Sequence, residues 1–144
     1  MPEKSLLPED VELHEHYSLT THDVSIVVTP AFLPEKSDIN SNIYAFRYTV
    51  QISNNGSKAL RLMNRHWRVF SGNAQTADIK GEGVVGEQPL LEASEVFEYS
   101  SWSVIGDAFG WMEGTYTFLT QDQEFFDVKI PRFFLLYVDS SAIH

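Results

Sequence analysis

The sequence predicts an all-β sandwich of two antiparallel sheets, and three observations carry that expectation. Aromatic residues are abundant, with ten Phe, six Tyr and three Trp in 144 residues, and aromatic and β-branched side chains suit the half-buried pleated surface of a strand. Runs of alternating apolar and polar residues recur, separated by Gly, Pro, Asn and Asp signals at intervals of about ten residues. No stretch carries the periodicity of a long amphipathic helix.

Taken in order, Met1 to Thr21 mixes prolines, acids and polar residues and reads as a loose arm, with a short helical turn near Pro8 to Leu13. Residues 22–138 then form a single domain and 139–144 a tail. The first strand runs from Asp23 to Phe32, with Val24, Ile26 and Val28 alternating and Pro30 marking a bulge or an edge, because proline cannot donate to a ladder. After a polar loop at Leu33 to Asn42, Ile43 to Ser53 is the cleanest strand. Tyr44, Phe46, Tyr48, Val50 and Ile52 share one face, and Ala45, Arg47, Thr49 and Gln51 the other. Asn54-Asn55-Gly56-Ser57 reads as a hairpin turn.

The third strand spans Lys58 to Phe70. Leu60, Leu62, Asn64, His66, Arg68 and Phe70 share one parity; Met63, Arg65, Trp67 and Val69 share the other. Trp67 is expected in the core, with Arg65 at the sheet margin bonding backbone carbonyls or a carboxylate, since a buried guanidinium must be paired. Ser71-Gly72-Asn73 turns the chain into a short strand at Gln75 to Lys80. Leu90 and Leu91 are expected to point inward, and Glu92 to Glu95 to turn. Val96 to Trp102 forms a strand, Gly106 to Gly110 a loop, and Gly114, Tyr116 and Phe118 alternate in the next strand. Phe126, Val128 and Ile130 line the last strand, which precedes Pro131 and the apolar run Phe133 to Val138.

Composition narrows the function classes. A net charge of −10 argues against a nucleic-acid backbone as partner, because phosphate contacts need a basic surface. The chain has no Cys, which excludes disulfides and thiolate metal sites. No signal peptide and no apolar run of membrane-spanning length is visible, so the expectation is a soluble cytoplasmic protein without a membrane partner.

Gly81, Gly83 and Gly86 match the spacing G-x-G-x-x-G. That pattern binds a dinucleotide only where a helix opens behind it. Here Glu87, Gln88 and Pro89 follow, and Pro89 disfavours the helical region at Gln88. The glycines are therefore expected to turn a β-chain. Successive backbone N–H groups in such a turn can also cradle an anion, and Arg65, His66, Arg68 and Lys80 could lie nearby. Surface pairing of those bases with Asp78, Glu82 or Glu87 is the competing expectation. His14 and His16 form an H-x-H pair that, with Glu12 or His22, is a secondary candidate for Ni²⁺, Co²⁺ or Zn²⁺; a mobile arm makes a poor preformed site, and no metal site is assigned. There is no G-x-S-x-G nucleophile motif, and nothing pairs Asp107, Glu113 and Asp127 as acid and base. No enzyme activity and no cofactor are expected.

Arg65-His66-Trp67-Arg68, the run Gly81-Glu82-Gly83-Val84-Val85-Gly86-Glu87-Gln88-Pro89, Tyr99-Ser100-Ser101, Gly110-Trp111-Met112-Glu113-Gly114-Thr115-Tyr116 and Ile130-Pro131-Arg132-Phe133 together resemble the ApaG family. The resemblance covers about Tyr17 to Leu136 and implies an immunoglobulin/fibronectin type III-like β-sandwich. Similar domains stand alone in bacteria and occur in eukaryotic F-box proteins and a polymerase-interacting protein as interaction modules. The resemblance also implies a link to cobalt resistance and magnesium efflux, and it supplies no catalytic residues. Ala93-Ser94 replaces a frequent Pro-Gly, and Trp102 stands where a small residue is usual. An exposed Trp102 beside Trp111 would make an apolar patch suited to a partner. The resulting expectation is a noncatalytic binding module that presents a strand edge or the glycine loop to an unidentified protein. The alternative is binding of a small phosphate-containing ligand, such as a nucleotide or pyrophosphate, at the glycine loop.

Overall fold

A computed structural model describes residues 13–72 and 76–138. The helical turn expected near Pro8 to Leu13, apart from Leu13 itself, lies outside the described residues, as do Glu12 as a metal ligand, Asn73, Gln75 and the tail from Asp139. Within them the strands are β1 (Tyr17–Thr21), β2 (Val24–Phe32), β3 (Tyr44–Asn54), β4 (Leu60–Ser71), β5 (Thr76–Glu82), β6 (Leu90–Leu91), β7 (Val96–Ile105), β8 (Phe109–Thr120) and β9 (Phe125–Leu136). They form two antiparallel sheets, ordered β1-β2-β3-β7 and β5-β4-β8-β9, with β6 paired to β4 in line with β5. This is the expected sandwich: the chain crosses between sheets from β3 to β4 and from β7 to β8, as in immunoglobulin-type folds.

The expected arm ends in structure, because Tyr17 to Thr21 pair with Val28 to Val24. His22 and Asp23 turn the chain with φ of 50° and 64°, the left-handed angles that a two-residue type I′ hairpin needs. Tyr17 is buried against the rings of Phe133 and Phe134. Pro30 lies past the last β1 partner, where its missing N–H breaks no bond on that side. In β3 the expected alternation is present, with Phe46, Tyr48, Val50 and Ile52 buried and Arg47 and Gln51 exposed.

Four local expectations are corrected. Asn54 to Ser57 is not a hairpin turn, because β3 pairs with β2 and β7 while β4 lies in the opposite sheet. Asn54 explains the crossing. Its buried amide donates to Lys58 O at 2.8 Å and to Leu91 O at 3.0 Å, which ties the end of one sheet to the start of the other. In β4, a bulge between Leu62 and Asn64 switches the faces. Leu60 and Leu62 therefore share the inner face with Trp67 and Val69, not with His66 and Arg68. In β9, Pro131 does not end the strand: Glu113 of β8 faces both Pro131 and Arg132, and pairing resumes at Phe133. This second bulge carries the inner face from Val128 and Ile130 to Phe133 and Leu135. Leu91 is buried and Leu90 exposed, since adjacent strand residues point to opposite faces.

Trp67 is the centre of the core. Its ring lies 5.3 Å from Tyr48, 5.8 Å from Phe133 and 6.2 Å from Tyr116. Beside it the hydroxyls of Tyr99 and Tyr116 bond each other across the sandwich. Burial, the largest cause, pushes both phenols above the ordinary value of 10.0. A phenol whose folded-state pKa is raised adds stability that is whole below its unfolded value and is lost as pH climbs above it. Stability is therefore expected to fall from about pH 10 upward, and less steeply in Tyr116→Phe. At neutral pH that variant is expected to lose about 1–3 kcal/mol, because Tyr99 keeps a buried hydroxyl without its partner. Urea unfolding followed across pH measures both effects.

Candidate functional site

The glycine stretch joins β5 to β6 along one edge of β4. Gly83 N donates to Met63 O at 2.8 Å, Gln88 Nε2 donates to the same carbonyl at 3.0 Å, and Leu62 N donates to Pro89 O at 3.0 Å. The loop is thus stitched to the β4 bulge. At its tip Val84 and Glu87 exchange backbone bonds of 2.8 and 2.9 Å around Val85 and Gly86, whose φ are 43° and 81°. The tip is a type I′ turn, and no helix opens behind the glycines. Val85 is unusual there, because a β-branched residue in the left-handed region is strained. It is also exposed.

Arg65 fills the concave side of this loop. Its Nη1 donates to Glu82 O at 3.0 Å and to Gly83 O at 2.9 Å, and its guanidinium lies so close over Gly81 that a Cβ there would sit 2.8 Å from Cζ. The expectation that Arg65 bonds carbonyls at the sheet margin is met. Those carbonyls satisfy donors without neutralising charge, and among the described residues no carboxylate pairs with Arg65. The guanidinium borders a cleft of about 180 Å³ that Tyr48, Tyr99, Ser101, Val85 and Gly86 also line.

The other bases do not join it. His66, Arg68 and Lys80 lie on the outer face of the sheet, since the strand alternation turns them away from Arg65 and Gly81. There His66 Nε2 lies 2.9 Å from Asp78 Oδ1, and Arg68 reaches Asp78 at 4.0 Å and Glu113 at 3.8 Å. The His66 hydrogen bond is the main cause holding the Asp78 carboxyl below its usual range. The four-base anion cluster is therefore corrected to Arg65 alone. Trp102 and Trp111 do not form one patch either. Trp102 is 49% exposed on the outer face of β7, with Lys36 Nζ 4.6 Å from its ring centroid. Trp111 lies on the outer face of the opposite sheet, stacked on Phe70 at 5.1 Å and covered by Arg132 at 3.8 Å. His14 donates its backbone N–H to Tyr17 Oη and packs edge-on against that ring, and neither His14 nor His16 lies in a strand. His22 packs against Phe126. Among the described residues no group of three or more His, Asp or Glu is placed to hold a metal.

Sequence reasoning missed the open side of the sandwich. β7 pairs with β3 along its length, and among the described residues no strand pairs with its other edge. The opposite sheet projects beyond it: Ala77 and Ile79 of β5 stand directly across from Val69 and Trp67, on the inner face, yet both are exposed. A cleft at the far end of this side is lined by Val69, Ser71, Ala77, Val104 and Gly106. There the buried Ser71 hydroxyl has no hydrogen-bond partner among the described residues. A signal was present in the sequence, because Ser101 and Ser103 are small polar residues on the inward parity of β7.

Among the described residues no helix is long and apolar enough to cross a membrane. The family model of the ApaG domain matches residues 34–120. The chain is 43% identical to the ApaG protein of Methylobacterium nodulans over 83% of this chain and 92% of that one. It is 42% identical to the ApaG protein of Nitrosomonas europaea over 79% and 90% of the two chains. The crystal structure of the putative ApaA protein of Bordetella pertussis superposes with a TM-score of 0.78 at 35% identity, covering 90% of this chain and all of that one. With the glycine turn clamped by Arg65 and the two sheets in this order, these likenesses make the chain a member of the ApaG domain family.

Proposed function

We propose that the protein is a noncatalytic binding module that engages another protein along its open side. One observation carries the reading: Trp102 and Val104 are exposed on a strand whose outer edge has no partner among the described residues, with Ile79 exposed across the gap. Exposed aromatic and aliphatic groups beside unpaired backbone amides are what strand-adding partners use. His66 and Asp78 bond each other on an open sheet face beside Arg68, a charge network suited to a solvated surface. The link to cobalt resistance and magnesium efflux is then exerted through the partner. In affinity purification from the native cell, the partner is expected with the wild-type chain and reduced at least tenfold with Trp102→Ala. The variant's urea stability should stay within about 1 kcal/mol, because the ring is half exposed. Equal recovery, or recovery of no protein in either case, overturns the reading.

A second reading rests on Arg65, whose charge meets no acid among the described residues and whose cleft is also lined by Tyr48, Tyr99 and Ser101. A small phosphate-containing anion fits that chemistry. It predicts that pyrophosphate shifts the amides of Gly81 to Gly86 at sub-millimolar concentration and that Arg65→Gln removes the response; Arg68→Gln, on the outer face, should not.

A further inference from the structure

We propose that the open side receives an extended acidic peptide segment of another protein, which pairs with the free edge of β7 and lies over the uncovered inner face of β5. This rests on the protein-binding reading and specifies its site and partner chemistry. The groove has a defined length. Arg65 marks one end and Ser71 the other, six residues apart on the same strand, or about 20 Å at the rise of a strand. That span matches an incoming strand of about six residues, the usual length of a strand in globular proteins.

Each part of the groove asks for a particular group. Ala77 and Ile79 are inner-face residues that nothing among the described residues covers, so alternate side chains of the incoming strand should be apolar there. Ser71, 6% exposed as a residue, lines the far end, and its buried hydroxyl has no hydrogen-bond partner among the described residues, an unusual feature in a folded protein. Arg65 has its Nη1 on two carbonyls and its charge unanswered, so the inward residue at that end should carry a carboxylate. On the outer face Trp102 and Val104 would flank the added strand, and Arg47 stands beside Trp102 with Lys36 over its ring. In a chain of net charge −10, these bases stand along the middle of β7, with Glu98 and Asp107 towards its two ends, so a carboxylate is favoured at the Arg65 and Trp102 positions.

Other occupants fit less well. A small anion at Arg65 would leave Ala77 and Ile79 uncovered. A second copy pairing its β7 antiparallel to this one would have to place its own β4 and β5 in the space into which this chain's β5 projects.

Selection of a random nine-residue peptide display library on the immobilised full chain tests the inference. Recovered peptides should alternate apolar residues with one Asp or Glu at a fixed position. The consensus peptide should slow amide exchange at Ser101 to Ile105. Replacing its acid with Gln or Asn, or using the Ile79→Glu protein, should weaken binding at least tenfold; residue 79 is exposed, so the variant folds. Peptides without an acidic consensus, or ones that perturb amides away from β7, overturn the inference and leave the protein-binding reading standing. Recovery of no peptide overturns it too. If inorganic pyrophosphate alone then shifts Gly81 to Gly86, the protein-binding reading falls with it; if the chain instead dimerises with rising concentration, the edge belongs to a second copy.

Discussion

Trp67→Ala is expected to remove about 3–5 kcal/mol of stability, the usual loss for a large aromatic taken from a core. Small domains have about 5–15 kcal/mol in total, so the variant should sit near the edge of unfolding at 37 °C. The size follows from position. Trp67 is 2% exposed and touches rings from both sheets, Tyr48 on β3 and Tyr116 and Phe133 on β8 and β9. It joins the layers where Arg65, two residues away on the same face, enters the cleft. Trp67→Phe keeps a ring and should lose distinctly less. Urea midpoints compare the two, and a loss under about 1 kcal/mol for the alanine variant would mean that Trp67 does not hold the sheets together.

Gly83→Ala is the second large effect, expected at about 2–4 kcal/mol. The residue has φ of 60°, and a Cβ there would lie 2.0 Å from Glu87 O. The left-handed region alone disfavours an L-residue by about 1–2 kcal/mol, and overpacking adds a similar amount. Gly86 is the internal control: its φ is 81°, but nothing lies within 4 Å of its Cβ position. Gly86→Ala should therefore cost only the backbone term, about 1–2 kcal/mol. Gly83→Ala should also move Arg65, because Gly83 O accepts one of its hydrogen bonds. Equal losses in the two variants would contradict the clamped turn.

Much of this molecule can be read from its residues. The alternation in Tyr44 to Ser53 fixes the faces of β3, and Trp67 and the carbonyl-bound Arg65 follow from parity and from the need to pair a guanidinium. Pro89 after the glycines correctly argues for a turn. The rest depends on events that period-two counting does not register. The bulge at Met63 reverses which β4 residues face inward, so Leu62 and Trp67 share a face despite opposite parity. The same counting, applied locally, does separate Arg65 from His66 and Arg68; sequence proximity alone had grouped them. Asn54 looks like a hairpin residue because its local turn chemistry is the same whether the chain returns in its own sheet or crosses to the other. The free edge of β7 is invisible until strand order is known, since β7 lacks the proline that can mark an edge. Only Ser101 and Ser103, polar at inward positions, hint that the core stops there.

The central claim is that the open side beside β7 is the working face. A photoreactive p-benzoylphenylalanine placed at position 102, and separately at position 125, tests it in the native cell. Phe125 is 63% exposed at the start of β9, at the other edge of the opposite sheet, and so controls for apolar exposure alone. A discrete cross-linked protein adduct from position 102 and none from position 125 is the expected result; adducts of equal yield from both, or from position 125 only, would contradict it.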